Sequence, residues 1–290
     1  MAACAASDLA ERAMTDRIPA ARLLTTVVLV LAFMPPLAAA AGRPQGQTSP
    51  RCPGPVAAAP PAVPAAFEVA ALRENEVRLT FIGHATFLIE SPHGVRIATD
   101  YNDAVTLPVM PDIVTMNHAH LTHYSNHPDP GIKVVLRGWN DDGSPAVHDL
   151  AYGDVRVRNV PTNIRDGVGG TERYGNSVFV FEVASLCIVH LGHLHHTLTP
   201  DQLTAIGPVD VVMAPVDGTY TLDLAGMIEV LRALKAPLML PMHFFSEFGL
   251  ERFLALARPY WPIERNPTPS VVVSRASMPA SPTVLVLPGP

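Results

Sequence analysis

Seven of the twelve histidines in this 290-residue chain fall in two short runs. The densest run is His118-Ala119-His120-Leu121-Thr122-His123, directly after the apolar stretch from Asp112 to Met116. A second, His190-Leu191-Gly192-His193-Leu194-His195-His196, follows the strand-like run from Leu186 to Val189. Imidazole is the commonest protein ligand for divalent transition metals, and a short loop leaving a buried strand can turn closely spaced rings toward one point. Two strand ends with the same chemistry imply one shared metal site. His93, His127 and His148 read as ordinary surface residues. Asp100 and Asp103 are candidate carboxylates for orienting an imidazole, and Asp217 lies just past a strand end beside Gly218.

These residues need a sheet to position them. Val77–Ile82, Thr86–Glu90 and Val95–Thr99 read as consecutive antiparallel strands, the last pair joined by the turn-forming Ser91 to Gly94. Runs at 112–116, 132–136, 155–160, 177–183 and 186–189 continue the β pattern, several alternating at period two. Helices enter later. Thr199 followed by Pro200 opens one over 199–206, apolar spacing predicts another over Leu222–Leu234, and a short third runs from Glu247 or Gly249 to Ala257. Strand candidates at 209–214 and 237–243 alternate with these helices, and those at 270–274 and 283–286 are placed at the sheet edge. Arg173 to Ser177 reads as a turn before the next strand. Strands first antiparallel and then interleaved with helices imply an α/β fold of two packed sheets with helices outside.

The formal net charge is −6, and no cluster of Lys and Arg appears, which argues against a nucleic-acid partner. No glycine-rich nucleotide cradle is present. Arg12, Arg17 and Arg22 precede an apolar run from Leu23 to Met34 that ends in small residues, the pattern of a secretory signal peptide. Residues 1–42 are therefore expected to be a leader or an N-terminal anchor, the membrane being met only through this segment if it stays uncleaved. Residues 43–75 are expected to be a Pro/Ala-rich linker and 76–290 the domain, periplasmic or secreted. Export permits a Cys52–Cys187 disulfide, although a buried Cys187 acting as a small hydrophobe is the preferred reading. The oligomeric state is left open.

The segments Gly83 to Glu90, His118 to His123, Val189 to His193, Asp210 to Asp217 and Pro241-Met242-His243 occur in the order found in the metallo-β-lactamase superfamily. The match resembles most its lactonase-like and N-acyl-phosphatidylethanolamine phospholipase D-like branch and covers roughly residues 76 to 260. The resemblance implies a four-layer αβ/βα sandwich with one or two metal ions, usually zinc, at the strand ends. By position it implies His118 and His120 as ligands of a first metal, and His123 and His243 as further ligands. His84 lies beside the site.

Three departures accompany the match. Thr122 stands where the family loop has an aspartate, His193 stands where the family has a bridging aspartate, and Asn163 falls near a missing histidine. Without the carboxylates two dications are harder to hold, so one ion is expected, zinc first, with copper, nickel or iron also suited to a nitrogen-rich set. His193 would replace the bridge, giving a neutral His118/His120/His193 set with one open position, the pattern of catalytic zinc. The expected function is an exported metal-dependent hydrolase using a metal-bound hydroxide on an ester, lactone, amide or phosphodiester small molecule. His84 and His195, or its neighbour His196, are the candidates for hydrogen-bonding the oxyanion or moving a proton. The rival expectation is a non-catalytic metal-binding or sensor protein on the same fold.

Overall fold

The computed structural model describes residues 71–289. The expected leader, the linker up to residue 70, Cys4 and Cys52 lie outside the described residues. Strands β1 (Val77–Gly83), β2 (Thr86–Glu90) and β3 (Arg96–Ala98) form the expected antiparallel meander. β4 (Ile113–Met116) and β5 (Val134–Arg137) then add in parallel to β3, and β13 (Ser270–Val273) closes the other edge against β1.

The second sheet has eight strands in the order β12-β14-β11-β10-β9-β8-β7-β6. Its antiparallel half is β6 (Asp149–Tyr152), β7 (Val155–Arg165), β8 (Thr171–Val183) and β9 (Leu186–His190). The parallel half continues from β9 through β10 (Val211–Pro215) and β11 (Leu238–Met242) to β14 (Thr283–Val286) and β12 (Ile263–Arg265). β14 thus lies inside this sheet, whereas β13 edges the other one. The two late strands close different sheets because β14 follows the parallel β-α-β path while β13 returns to pair with β1.

Alternation of side chains at period two builds two cores from the same strands. Phe179, Phe181, Ile188, Val211, Met213, Leu238 and Leu240 face the other sheet, meeting Leu79, Phe87, Ile89 and Ile97. Their neighbours Val178, Val180, Val189, Val212 and Met239 face outward and are covered by helices. Burying each such large side chain contributes about 1.5–3 kcal/mol relative to leaving it exposed.

The helices are α1 (Pro200–Ile206), α2 (Leu224–Leu234) and α3 (Glu247–Ala257). Thr199 caps α1 in a capping box with Gln202, as its position before proline predicts. α2 starts two residues later than its apolar spacing suggests because the Asp223 side chain accepts a bond from Gly226 N and fixes the first turn there. All three helices pack on the eight-stranded sheet. Among the described residues, the far side of the six-stranded sheet carries a smaller cluster of Ala98, Val114, Met116, Ile132 and Trp139 under loop residues Tyr101, Leu107 and Tyr124.

Two local readings change. Residues 173–177 lie inside β8 rather than in a turn: Tyr174 takes a left-handed backbone at φ 57°, and the pairing with β7 shifts register between Thr162 and Ile164. The irregularity that turn residues signal is absorbed as a bulge. Cys187 is half-buried at the start of β9. Among the described residues no helix is long and apolar enough to cross a membrane.

Candidate metal centre

The carboxyl ends of β4, β9 and β11 and the turn between β1 and β2 bring four histidines together. His84, His123 and His243 each offer a ring nitrogen, and these atoms lie within 4.8 Å of one another. His123 Nε2 and His243 Nε2 face each other at 3.2 Å. His193 stands edge-on to both, its ring centroid 4.6 Å from that of His123 and 4.9 Å from that of His243. The His84 ring is 4.1 Å from that of His243. His123 and His193 are fully buried and His243 nearly so.

The outer nitrogens of two rings are backed by carboxylates. His123 Nδ1 lies 2.6 Å from Asp100 Oδ2, and His243 Nδ1 lies 3.0 Å from Asp217 Oδ1, close though poorly aligned. A carboxylate at Nδ1 holds the proton there and leaves Nε2 a lone pair. Two such lone pairs 3.2 Å apart repel unless a cation sits between them. Two nitrogens bound tetrahedrally to one zinc stand about 3.3 Å apart, and His84 Nε2 is buried with no hydrogen-bond partner. The residues therefore fit a nitrogen-ligated ion.

The carboxylates are themselves fixed. Asp100 is fully buried with a left-handed backbone at φ 43°. Its Oδ1 accepts from Asn117 Nδ2, and its carbonyl accepts from Thr86 Oγ1 and Asn102 Nδ2. Burial pushes the Asp100 carboxyl up to about 6, against the opposing pull of His190 and the Asn117 hydrogen bond. Burial also works against the Asp217 anion. The His243 and Thr221 side chains and the backbone of Thr219 outweigh it, holding Asp217 well below the usual carboxylate range. Its oxygens accept from Thr219 N, Tyr220 N and both N and Oγ1 of Thr221.

Burial, then the neighbouring imidazoles, lower His123 and His193 well below their ordinary values, and burial first lowers His84 to about 4. The rings are neutral at pH 7, the state in which imidazole binds metals. His84 and His243 also hold left-handed backbones, at φ 53° and 56°, and His243 N donates to His84 O at 2.6 Å, tying the two sheets together at the site. Strain of this kind persists where the surroundings over-determine it. His190, fully buried, accepts from Gly192 N at Nδ1, so its Nε2–H donates to Ala85 O at 2.8 Å and pins the turn that carries His84.

His193 is backed differently. Its Nδ1 lies 2.5 Å from His195 Nε2, and His195 Nδ1 accepts from Arg165 N at 2.6 Å. Burial first, then the Arg165 charge, lowers His195 to about 4. The loop reaches this position because Gly192, at φ 60°, lets Asn117 and Asn176 pass where a Cβ would stand. Asn176 Oδ1 accepts from His193 N.

Above the rings opens a pocket of about 510 Å³ lined by His84, His120, Thr122, Tyr220, His243 and Phe245. His120 is exposed on this rim, 4.8 Å from the His193 ring and 6.3 Å from that of His123, and burial lowers its pKa. Tyr220 and Phe245 are 60% and 64% exposed. Of the expected ligands, His123, His193 and His243 are thus brought together, and His84 joins them as a neighbour in the same nitrogen cluster. His118 is not brought in. Its Nδ1 lies 2.6 Å from Glu172 Oε1, and its ring stacks on Trp139 at 5.0 Å. Of the second expected pair, His195 reaches the site through His193 while His196 is exposed; Asp103 is exposed, and Asn163 Oδ1 accepts from Tyr174 N.

Sequence reasoning passed over Arg165, Asn117, Asn176, Tyr220 and Phe245. Arg165 Nη2 donates to the carbonyls of Thr219, Tyr220 and Thr221 and so holds the loop that cradles Asp217. Asn117 immediately precedes the first histidine run, and a buried amide there was the available signal.

Two facing mixed sheets with imidazoles gathered at their strand ends define a metal-centre α/β sandwich. A family model described as the beta-lactamase superfamily domain matches residues 78–243, and the chain belongs to that superfamily. A UPF0173 metal-dependent hydrolase from Methanosphaerula palustris is 25% identical over 191 residues, 61% of this chain and 87% of that protein. One from Archaeoglobus fulgidus is 22% identical over 58% of this chain and 83% of its own length. Among solved structures, a proposed Zn-dependent hydrolase of the metallo-beta-lactamase superfamily from Thermotoga maritima superposes with a TM-score of 0.55 at 29% identity, covering 74% of this chain and all of that one.

Proposed function

We propose that the protein is an exported metal-dependent hydrolase that holds one ion, zinc first, on His84, His123 and His243 and acts on an ester, lactone, amide or phosphodiester. The observation that carries this reading is the pair of carboxylate-backed imidazole nitrogens facing each other at 3.2 Å beneath an open pocket. The names of the UPF0173 relatives and of the Thermotoga protein support the hydrolase class and the choice of zinc. Export rests on the basic and apolar pattern of residues 1–42.

When bound, such an ion supplies an activated water near neutral pH and polarises the electrophilic oxygen. Asp100 and Asp217 set the tautomer and orientation of His123 and His243. Tyr220 and Phe245 offer aromatic faces to an apolar part of the substrate. His120, on the rim beside the pocket, is placed to exchange a proton with the leaving group. The pocket, open at the ring cluster, favours an enzyme over a sensor whose coordination positions are all filled by protein.

Elemental analysis of the purified protein, paired with a hydrolysis panel, tests this reading on the wild type, His123→Ala and His243→Ala. One ion per chain in the wild type, lost from both variants together with hydrolysis, is expected. Hydrolysis that persists in both variants rules the mechanism out.

A further inference from the structure

His193 occupies the position where a carboxylate bridge or its replacement ligand was expected, yet its hydrogen bonds leave it no lone pair to give. The direction of the chain of bonds is set from its outer end. Arg165 N is a backbone amide and can only donate, so His195 Nδ1 is an acceptor and carries no proton. Neutral His195 then carries its proton on Nε2 and donates it to His193 Nδ1 at 2.5 Å. His193 Nδ1 being an acceptor, the proton of the neutral His193 ring is on Nε2. That Nε2 is buried among the other rings with no hydrogen-bond partner.

The contrast with its neighbours is chemical. His123 and His243 have carboxylates at Nδ1 and present lone pairs, whereas His193 has an imidazole N–H donor at Nδ1 and presents N–H at Nε2. A buried donor with no acceptor costs about 1–3 kcal/mol, a cost relieved by a ligand that brings an oxygen.

We propose that His193 is a fixed hydrogen-bond donor to an anionic oxygen of the substrate, and not a ligand of the ion. This rests on the function proposed above and specifies its substrate: a group that carries or develops negative charge on oxygen beside the ion, as carboxylic and phosphoric ester derivatives do during hydrolysis. Arg165 and His195 are positioning residues, setting the proton's place without touching substrate.

Three readings on the full, metal-loaded chain test this. Long-range proton–nitrogen spectra of histidine-labelled wild type are expected to show His193 with a protonated Nε2 and a bare Nδ1. His193→Ala and His193→Gln are expected to keep the wild-type metal content. Inorganic phosphate, titrated calorimetrically as the oxyanion probe, is expected to bind at least about tenfold more weakly to His193→Ala, with binding restored within about threefold in His193→Gln, whose amide N–H reaches in the same direction. Loss of the ion from the Gln variant, a bare or metal-shifted Nε2, or unchanged phosphate affinity in the Ala variant overturns the proposal. If the wild type holds no ion, the proposed function falls by itself, while the spectra and the phosphate titration still decide where the His193 proton sits.

Discussion

The two sides of the ring cluster are built from the same side chain and do opposite things. On the β4, β10 and β11 side, Asp100 and Asp217 stand behind His123 and His243. On the β9 side, His195 and the backbone of Arg165 stand behind His193. A carboxylate accepts the hydrogen bond of Nδ1–H and so leaves Nε2 a lone pair; an imidazole that must donate gives its hydrogen bond to a bare Nδ1 and so leaves N–H at the far nitrogen. His123, His193 and His243, whose ring centroids lie 4.6 to 5.1 Å apart, thereby divide into two acceptors and a donor. The residue one layer out, rather than the ring itself, decides which role each ring takes.

Removing a carboxylate should break the acceptor side first. Asp100→Asn offers His123 either an amide oxygen or an amide N–H, and loss of the charge is expected to weaken metal binding about 10- to 100-fold, measured by competition with a chromophoric chelator. Converting the donor side is the complementary change. His195→Glu places a carboxylate behind His193 Nδ1, turns its Nε2 into a lone pair, and is expected to raise metal affinity about tenfold in the same assay; unchanged or weaker binding would mean that proton placement does not control the role of His193.

A smaller effect follows from burial. The folded protein lowers His84 and His195 from 6.5 to about 4, chiefly by burial. Between those values the unfolded chain takes up protons that the folded chain refuses. The stability that these two groups contribute to the metal-free protein is therefore complete above pH 6.5 and falls as pH drops toward 4, which denaturant titrations of the wild type against His84→Ala and His195→Ala across that range will show. The smallest change is expected at His118. With its ring paired to Glu172 and stacked on Trp139, His118→Ala should leave metal content unchanged and lower stability only slightly, and loss of the ion would restore it to the ligand set.

Much of the frame was legible because local signals and burial agreed. Thr199-Pro200 marked the start of α1, and the β-rich runs Val77 to Ile82 and Thr86 to Glu90 marked the meander. His123, His193 and His243 were legible as a group because each follows a buried strand. His118 and His120 were harder. An H-x-H spacing does not say which way each ring turns, and the partner that holds His118, Glu172, comes from the β8 strand far along the chain. The role of His193 was the least legible, since the group that orders its proton is a backbone amide, and every residue except proline carries one.

Arg165 contributes twice, by different parts of itself. Its backbone amide orders the protons of His195 and His193, while its guanidinium gathers the carbonyls of Thr219, Tyr220 and Thr221 at the pocket's rim. Substitution at this position rewrites the second contribution and, short of proline, leaves the first untouched. The rim of the pocket can thus drift through mutation here while the direction of the hydrogen bonds beneath it is inherited unchanged, a separation that suits one floor to many different entrances.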